Sequence, residues 1–209
     1  MRDRSNVLYG HETGYPDRVT PPSWVHPQET KPAPPPLLLV QSFVNTWQAE
    51  TGTDLLARAD PAEAWLREAG LIGPDAAARP AALRQAREVR ESLRALLAHN
   101  GGGPRPAAEQ LAPLHALARR GRPELSVDPA GRVLLAPGPD GSLAAGLAGL
   151  LLVVRDAQQQ GSWPRLKACR NPGCRWAFYD RSHARRGTWC DMATCGNMIK
   201  NRNFRARRR

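Results

Sequence analysis

The chain has 209 residues, of which 41% are hydrophobic. That suits one or two domains with a packed core and argues against wholesale disorder. The formal charge is +11, and all of the excess sits at one end. Residues 1–164 balance 17 basic against 17 acidic side chains, whereas residues 165–209 hold thirteen Lys or Arg against only Asp180 and Asp191. No apolar run reaches the ~18 residues of a membrane span, and no apolar h-region marks a secretory signal. Four cysteines without such a signal point to a reducing, cytoplasmic setting, where thiols more often bind metal than pair. Arg outnumbers Lys 27 to 3, as a GC-rich coding sequence would produce, so the loss of acids after Asp156 is the more telling feature.

Residues 1–36 carry eight prolines and read as a disordered or extended arm, with Tyr9, Tyr15 and Trp24 as its aromatic residues. A helical domain is expected over 37–162. It opens with an apolar stretch, 37–48, that suits a largely buried helix. Asp60-Pro61 then reads as an N-cap followed by Pro at the first helical position, and Gly70 as the stop. The strongest helix covers 79–98, where Leu83, Ala86, Val89, Leu93 and Leu97 recur near 3.6-residue spacing and Asn100-Gly101 ends the run. A further helix covers 107–120, with Pro113 as a kink. Residues 125–135 predict one β-hairpin around Asp128-Pro129-Ala130-Gly131. A helix capped by Asp140 or Ser142 runs to about residue 160, and its apolar first half belongs in the middle of the core.

The last module, 163–209, contains every cysteine: Cys169-x4-Cys174 and Cys190-x4-Cys195. Two equal pairs separated by a loop suit a structural Zn²⁺ site, since each short pair supplies two corners of a tetrahedron and four thiolates leave no open position for catalysis. Asn171-Pro172-Gly173 supplies the tight turn the first pair needs. Disulfides or unrelated buried thiols are the competing readings. His183 reads as an exposed loop residue among arginines, with replacement of one cysteine ligand as the alternative. Trp176 to Asp180 reads as a strand whose aromatic residues shield the metal.

From residue 191 onward a helix is expected. Lys200, Arg202, Arg205, Arg207, Arg208 and Arg209 lie there with no acid beyond Asp191. A solvated helix gains from mixed signs at i,i+4, so this one suits a polyanionic partner. Together with Arg185 and Arg186 in the loop, and with Asn197 and Asn201 near the metal, it forms a nucleic-acid footprint. A basic tail that binds nothing is the alternative.

Trp189-Cys190-Asp-Met-Ala-Thr-Cys195-Gly196-Asn197 resembles the signature of the CGNR zinc finger family of bacterial proteins, and the stretch from Leu166 through Cys169 and Cys174 to Asp180 resembles the first half of that finger. Phe43-Val44-Asn45-Thr46, Asp54-Leu-Leu and Ala64-Trp65-Leu66-Arg-Glu-Ala-Gly70-Leu are similar to the ABATE domain that precedes it. The resemblance implies a transcription regulator that binds DNA through the finger, with the helical domain as a candidate sensor; a small-molecule effector is a candidate partner that the resemblance does not name. Met198 stands where the family signature has Arg.

The expected architecture is therefore mainly α within an α+β class: a helical domain with one hairpin, then a small treble-clef- or ribbon-like zinc finger with a basic C-terminal helix. A DNA-binding, nucleoid-associated regulator is the leading function. An RNA-binding or ribosome- or protein-docking module is the alternative, because phosphates dominate either contact. An enzyme finds little support, since Asn45, His99 and His115 are the notable polar candidates and form no nucleophile–base pattern. Asn45-Thr46, at the end of an apolar helix, could face a ligand pocket or could cross-link helices.

Overall fold

The computed structural model describes residues 21–206, with backbone only for Asn203 and Ala206. Six α-helices and three two-stranded antiparallel pairs occur among them, in agreement with a mainly helical α+β fold.

Helix α1, Leu37–Val44, is buried along its whole length. It stops short of the expected residue 48 because its end is taken over by side-chain hydrogen bonds. Thr46 Oγ1 donates back to the Phe43 carbonyl at 2.8 Å, and Asn45 is engaged by a distant strand. The chain then makes a second hairpin that the sequence does not announce, β1 (Trp47–Gln48) against β2 (Thr53–Asp54). Helix α2, Ala59–Glu68, begins before Asp60 rather than after it. Asp60 and Pro61 thus occupy its first turn, where a carboxylate meets the helix dipole and a missing N–H leaves no partner unsatisfied.

Helix α3, Pro80–Asn100, buries Leu83, Ala86, Val89, Leu93 and Leu97 as the periodicity requires. Helix α4, Ala108–Arg120, contains Pro113. The predicted hairpin forms from β3 (Glu124–Val127) and β4 (Val133–Ala136), in the register Val127↔Val133 and Leu125↔Leu135. It stands away from the core, leaving Leu125, Val127 and Val133 exposed at 74%, 68% and 70%. Ser142 Oγ caps α5, Leu143–Gln159, by accepting the Ala145 N–H at 3.2 Å. Gly146 lets α5 approach the Leu71 backbone, since a Cβ there would overlap the Leu71 carbonyl.

Helices α1, α3 and α5 pack on one another around Val40, Phe43, Leu93, Leu97 and Leu150. The same core takes in Trp163, Leu166, Ala168, Ala177 and Tyr179, so it continues past residue 162 into the cysteine-bearing segment. It also takes in Ala33, with Trp24 and Val25 packed against it, and Trp65 Nε1 donates to the Trp24 carbonyl at 2.8 Å. The described part of the expected arm, residues 21–36, is therefore docked on the fold. Low hydropathy weighs against a segment forming its own core but does not prevent it from covering another. Tyr9 and Tyr15 lie outside the described residues.

Candidate metal centre and basic surface

After a single 3-10 turn at Trp163–Arg165, strands β5 (Leu166–Ala168) and β6 (Ala177–Tyr179) pair antiparallel. The Cys169 N–H extends the ladder by donating to the Trp176 carbonyl at 2.8 Å. Asn171 shapes the turn between the strands: its Oδ1 accepts the Gly173 N–H at 3.2 Å and its carbonyl accepts the Cys174 N–H at 2.9 Å. Cys174 is thereby returned beside Cys169. The second pair lies at the entrance to a helix. Asp191 Oδ1 caps a wide helical turn, Met192–Gly196, by accepting the Thr194 N–H at 2.8 Å, and helix α6, Asn197–Ala206, follows directly. A ligand pair on a hairpin turn and a second pair at a helix start give the treble-clef form of the expected finger.

All four sulfurs lie within 4.8 Å of one another, with Cys174–Cys190 at 3.6 Å and Cys190–Cys195 at 3.8 Å. A tetrahedron with metal–sulfur bonds of about 2.3 Å has edges of about 3.8 Å, so the spacing fits a tetrahedral thiolate site. All four are free thiols, Cys169 and Cys195 buried. His183 is exposed and stands outside the cluster. Crowded sulfurs divide their protons unevenly. Hydrogen bonds from Cys174 and Cys190 draw the Cys169 pKa down, and the same contacts with Cys169 push Cys174 and Cys190 up. A divalent cation would favour the thiolate at every corner. Asn171 Nδ2 also lies 3.4 Å from Cys195 Sγ, so the turn residue is a donor to a ligand sulfur as well. Phe178, Trp176 and Trp189 cover the cluster, as the aromatic strand suggests.

The centre is bolted to the helices by side chains that periodicity does not reveal. Asn45 brackets the Ala177 backbone and donates to Glu29, while Thr46 accepts from Arg90 Nη1 at 3.2 Å. The polar atoms of Asn45 and Thr46 are thus taken up by internal cross-links, the second of the two readings of that pair. Buried Arg94 donates to the Val44 carbonyl at 2.7 Å and the Arg175 carbonyl at 2.8 Å, pairs with Glu91 and lies over Trp47. Burial draws its pKa down to about 10 against the pull of Glu91. Lys31 Nζ donates to the Trp189 carbonyl at 3.0 Å and sits over Phe178. Gln41 joins them, its Oε1 accepting the Ala33 N–H at 2.7 Å and its Nε2 donating to the Ala177 carbonyl at 3.3 Å. The sequence reading does not single out Gln41, Arg94 or Lys31, although the polar Gln41-Ser42 step inside apolar α1 is a signal for such a role.

Helix α6 packs on the Met192–Gly196 turn through buried Ile199. Lys200, Asn201, Arg202 and Arg205 are exposed along it, and exposed Asn197 donates to the Ala193 carbonyl at 3.2 Å. Arg185 and Arg186 are exposed on the loop before the second cysteine pair. Met198 is 55% exposed, with its sulfur 3.8 Å from Asn171 Nδ2. Arg207, Arg208 and Arg209 lie outside the described residues.

Two family models fit this arrangement. The CGNR zinc finger matches residues 165–208, which hold the four cysteines and α6. The ABATE model, described as "Putative stress-induced transcription regulator", matches residues 38–159 and so more than half of the chain. The chain belongs to the ABATE family. No curated protein matches it. The ABATE and CGNR families are of regulator and zinc-finger type rather than enzyme families. No described helix is long and apolar enough to cross a membrane.

Proposed function

We propose that this ABATE-family protein is a DNA-binding transcription regulator of the cytoplasm and nucleoid. One Zn²⁺ held by Cys169, Cys174, Cys190 and Cys195 fixes the finger, whose all-sulfur donor set and tetrahedral spacing suit a closed structural site. The observation that carries the reading is the acid-free surface of α6, with Lys200, Arg202 and Arg205 exposed on a helix that packs mainly on the preceding turn. Arg185 and Arg186 extend that surface, and Asn197, Asn201 and Arg202 are the residues nearest the metal that could read bases. Helices of the 37–162 domain serve as the sensor, and the 163–209 finger as the binding module. A cavity of about 410 Å³ between α3, α4 and the finger, touched by Glu91, Arg94, Pro113, Cys169 and Arg175, supports this division. From there an effector would reach a metal ligand and two sensor helices together.

The test is selection of bound sequences by the full zinc-loaded chain from random duplex DNA, with an RNA pool in competition. Enrichment of a duplex motif is expected. Preferential capture of RNA would overturn the reading in favour of an RNA-binding or ribosome-docking module.

A further inference from the structure

The loop joining the two cysteine pairs is built around a buried ion pair. The Lys167 and Asp180 side chains are 4% and 5% exposed, with Nζ 2.8 Å from Oδ2. Each saturates the loop around it. Lys167 Nζ also donates to the Arg185 carbonyl at 2.6 Å and the Gly187 carbonyl at 3.3 Å. Asp180 Oδ2 accepts the Gly187 N–H at 2.6 Å, and Oδ1 accepts the Ser182 N–H and Oγ–H at 3.1 and 2.7 Å. From outside, Arg165 Nη1 donates to the Asp180 and Ser182 carbonyls, both at 3.0 Å. The fit leaves no room for change at residue 187, where a Cβ would stand 2.7 Å from the Asp180 carboxyl carbon.

Burying two charges is unfavourable unless close pairing and further hydrogen bonds offset the desolvation, and here those further bonds all go to the loop. The loop itself adds nothing to the hydrophobic core, because residues 181–186 are all exposed. What it presents are the Arg185 and Arg186 side chains, whose guanidinium groups meet no hydrogen-bond or ion-pair partner among the described residues. Arg185 moreover sits at φ +52°, a left-handed position where Gly or Asn would be relaxed. A rigid frame, two unpartnered guanidinium groups and a strained backbone at one of them coincide within a short stretch of loop. Strain held in place by its surroundings is a mark of presentation for binding.

We infer that Lys167 and Asp180 are positioning residues that hold Arg185 and Arg186 as a preformed contact for successive phosphates of a nucleic-acid backbone. The inference rests on the proposed nucleic-acid reading and adds the frame that makes two loop arginines a site. Order in the loop, and not charge alone, sets the affinity.

Charge and order predict opposite signs for one substitution. Asp180→Asn makes the protein more positive, so a purely electrostatic surface would bind duplex DNA more tightly. A positioned surface binds it more weakly, by about 5- to 10-fold, because the Gly187 N–H and Lys167 lose their carboxylate. The measurement is duplex affinity as a function of salt for the full zinc-loaded protein, with zinc content and helicity checked for each variant. Ser182→Ala, which changes no charge, is expected to weaken binding about 3-fold, and it decides the matter if Asp180→Asn fails to fold. Arg185→Gly relieves the left-handed strain, so its thermal midpoint should hold or rise while the slope of log affinity against log salt falls by about 0.9. Arg185→Lys should restore that slope. Unchanged or tighter binding by folded Asp180→Asn or Ser182→Ala overturns the positioning role, and an unchanged slope in Arg185→Gly overturns the phosphate contact. Either result leaves the DNA-binding reading standing. A wild-type protein that binds no nucleic acid overturns both.

Discussion

Asn45 and Ala177 are 132 positions apart and are joined twice. The Asn45 carboxamide donates from Nδ2 to the Ala177 carbonyl at 2.9 Å and accepts the Ala177 N–H at Oδ1 at 2.8 Å. One side chain at the end of α1 thus supplies both bonds that a neighbouring strand would give β6. Lys31 continues this borrowed edge, its carbonyl accepting the Tyr179 N–H at 2.9 Å.

Truncating Asn45 should therefore leave the buried Ala177 N–H unsatisfied, while the Ala177 carbonyl keeps its 3.3 Å bond from Gln41 Nε2. Asn45→Ala is expected to lower unfolding free energy by about 1–3 kcal/mol, the cost of one buried orphan group. Urea denaturation of the zinc-loaded protein measures it. A loss below about 0.5 kcal/mol would mean that water satisfies the Ala177 N–H without penalty.

The Asp54–Arg90 pair gives a pH test away from the metal. Arg90 Nη1 and Nη2 meet the two Asp54 oxygens at 2.6 and 2.9 Å. Burial alone would raise the Asp54 pKa, but Arg90 and the Leu56 N–H outweigh it and hold the carboxyl below its usual range. The folded group therefore keeps its charge when the unfolded one protonates. The stabilisation is full at neutral pH, begins to fade as pH falls through the ordinary value near ~4, and is gone below the folded value. Asp54→Asn should cost about 2–4 kcal/mol at pH 7, less than a wholly buried pair because Asp54 keeps some contact with water. Paired urea titrations from pH 7 to 3 should show that difference narrowing only below about pH 4. A difference that stays constant through that range would remove the pair from the acid response.

Metal removal should act unevenly. Leu166, Ala168, Ala177 and Tyr179 belong to the helical core, whereas the Met192–Gly196 turn and α6 pack mainly on each other. Chelation is expected to release hydrogen-exchange protection over residues 188–206 while β5 and β6 keep theirs. Cys190→Ser should reproduce that pattern. Global loss of protection on chelation would show that the metal supports the helices too.

Under the proposed DNA-binding reading, the unbroken run Arg207-Arg208-Arg209 suits contact with the phosphate backbone rather than with bases. Replacing all three by Gln is expected to weaken binding to selected and scrambled duplexes nearly equally, with a salt slope smaller by roughly 0.9 for each phosphate no longer neutralised. A vanished sequence preference with an unchanged slope would assign base reading to the tail.

Much of this protein is legible in its residues because the signals are local. The 3.6-residue spacing of Leu83, Ala86, Val89, Leu93 and Leu97 defines α3, and Asp128 to Gly131 defines a hairpin turn, since each depends on the chain within a few positions. The paired cysteines define a metal centre for the same reason, because each half-site closes within a single short turn. Acid depletion after Asp156 separates a basic module from a neutral one. The tertiary structure alone decided how the pieces depend on each other. It gave Asn45 the cross-linking one of its two readings, as a bracket for β6, docked the described proline-rich segment against the core, and buried Lys167 with Asp180 under an exposed loop. Those outcomes rest on long-range hydrogen bonds and shared apolar surface, and a buried polar side chain takes whichever partner the packed fold brings within reach.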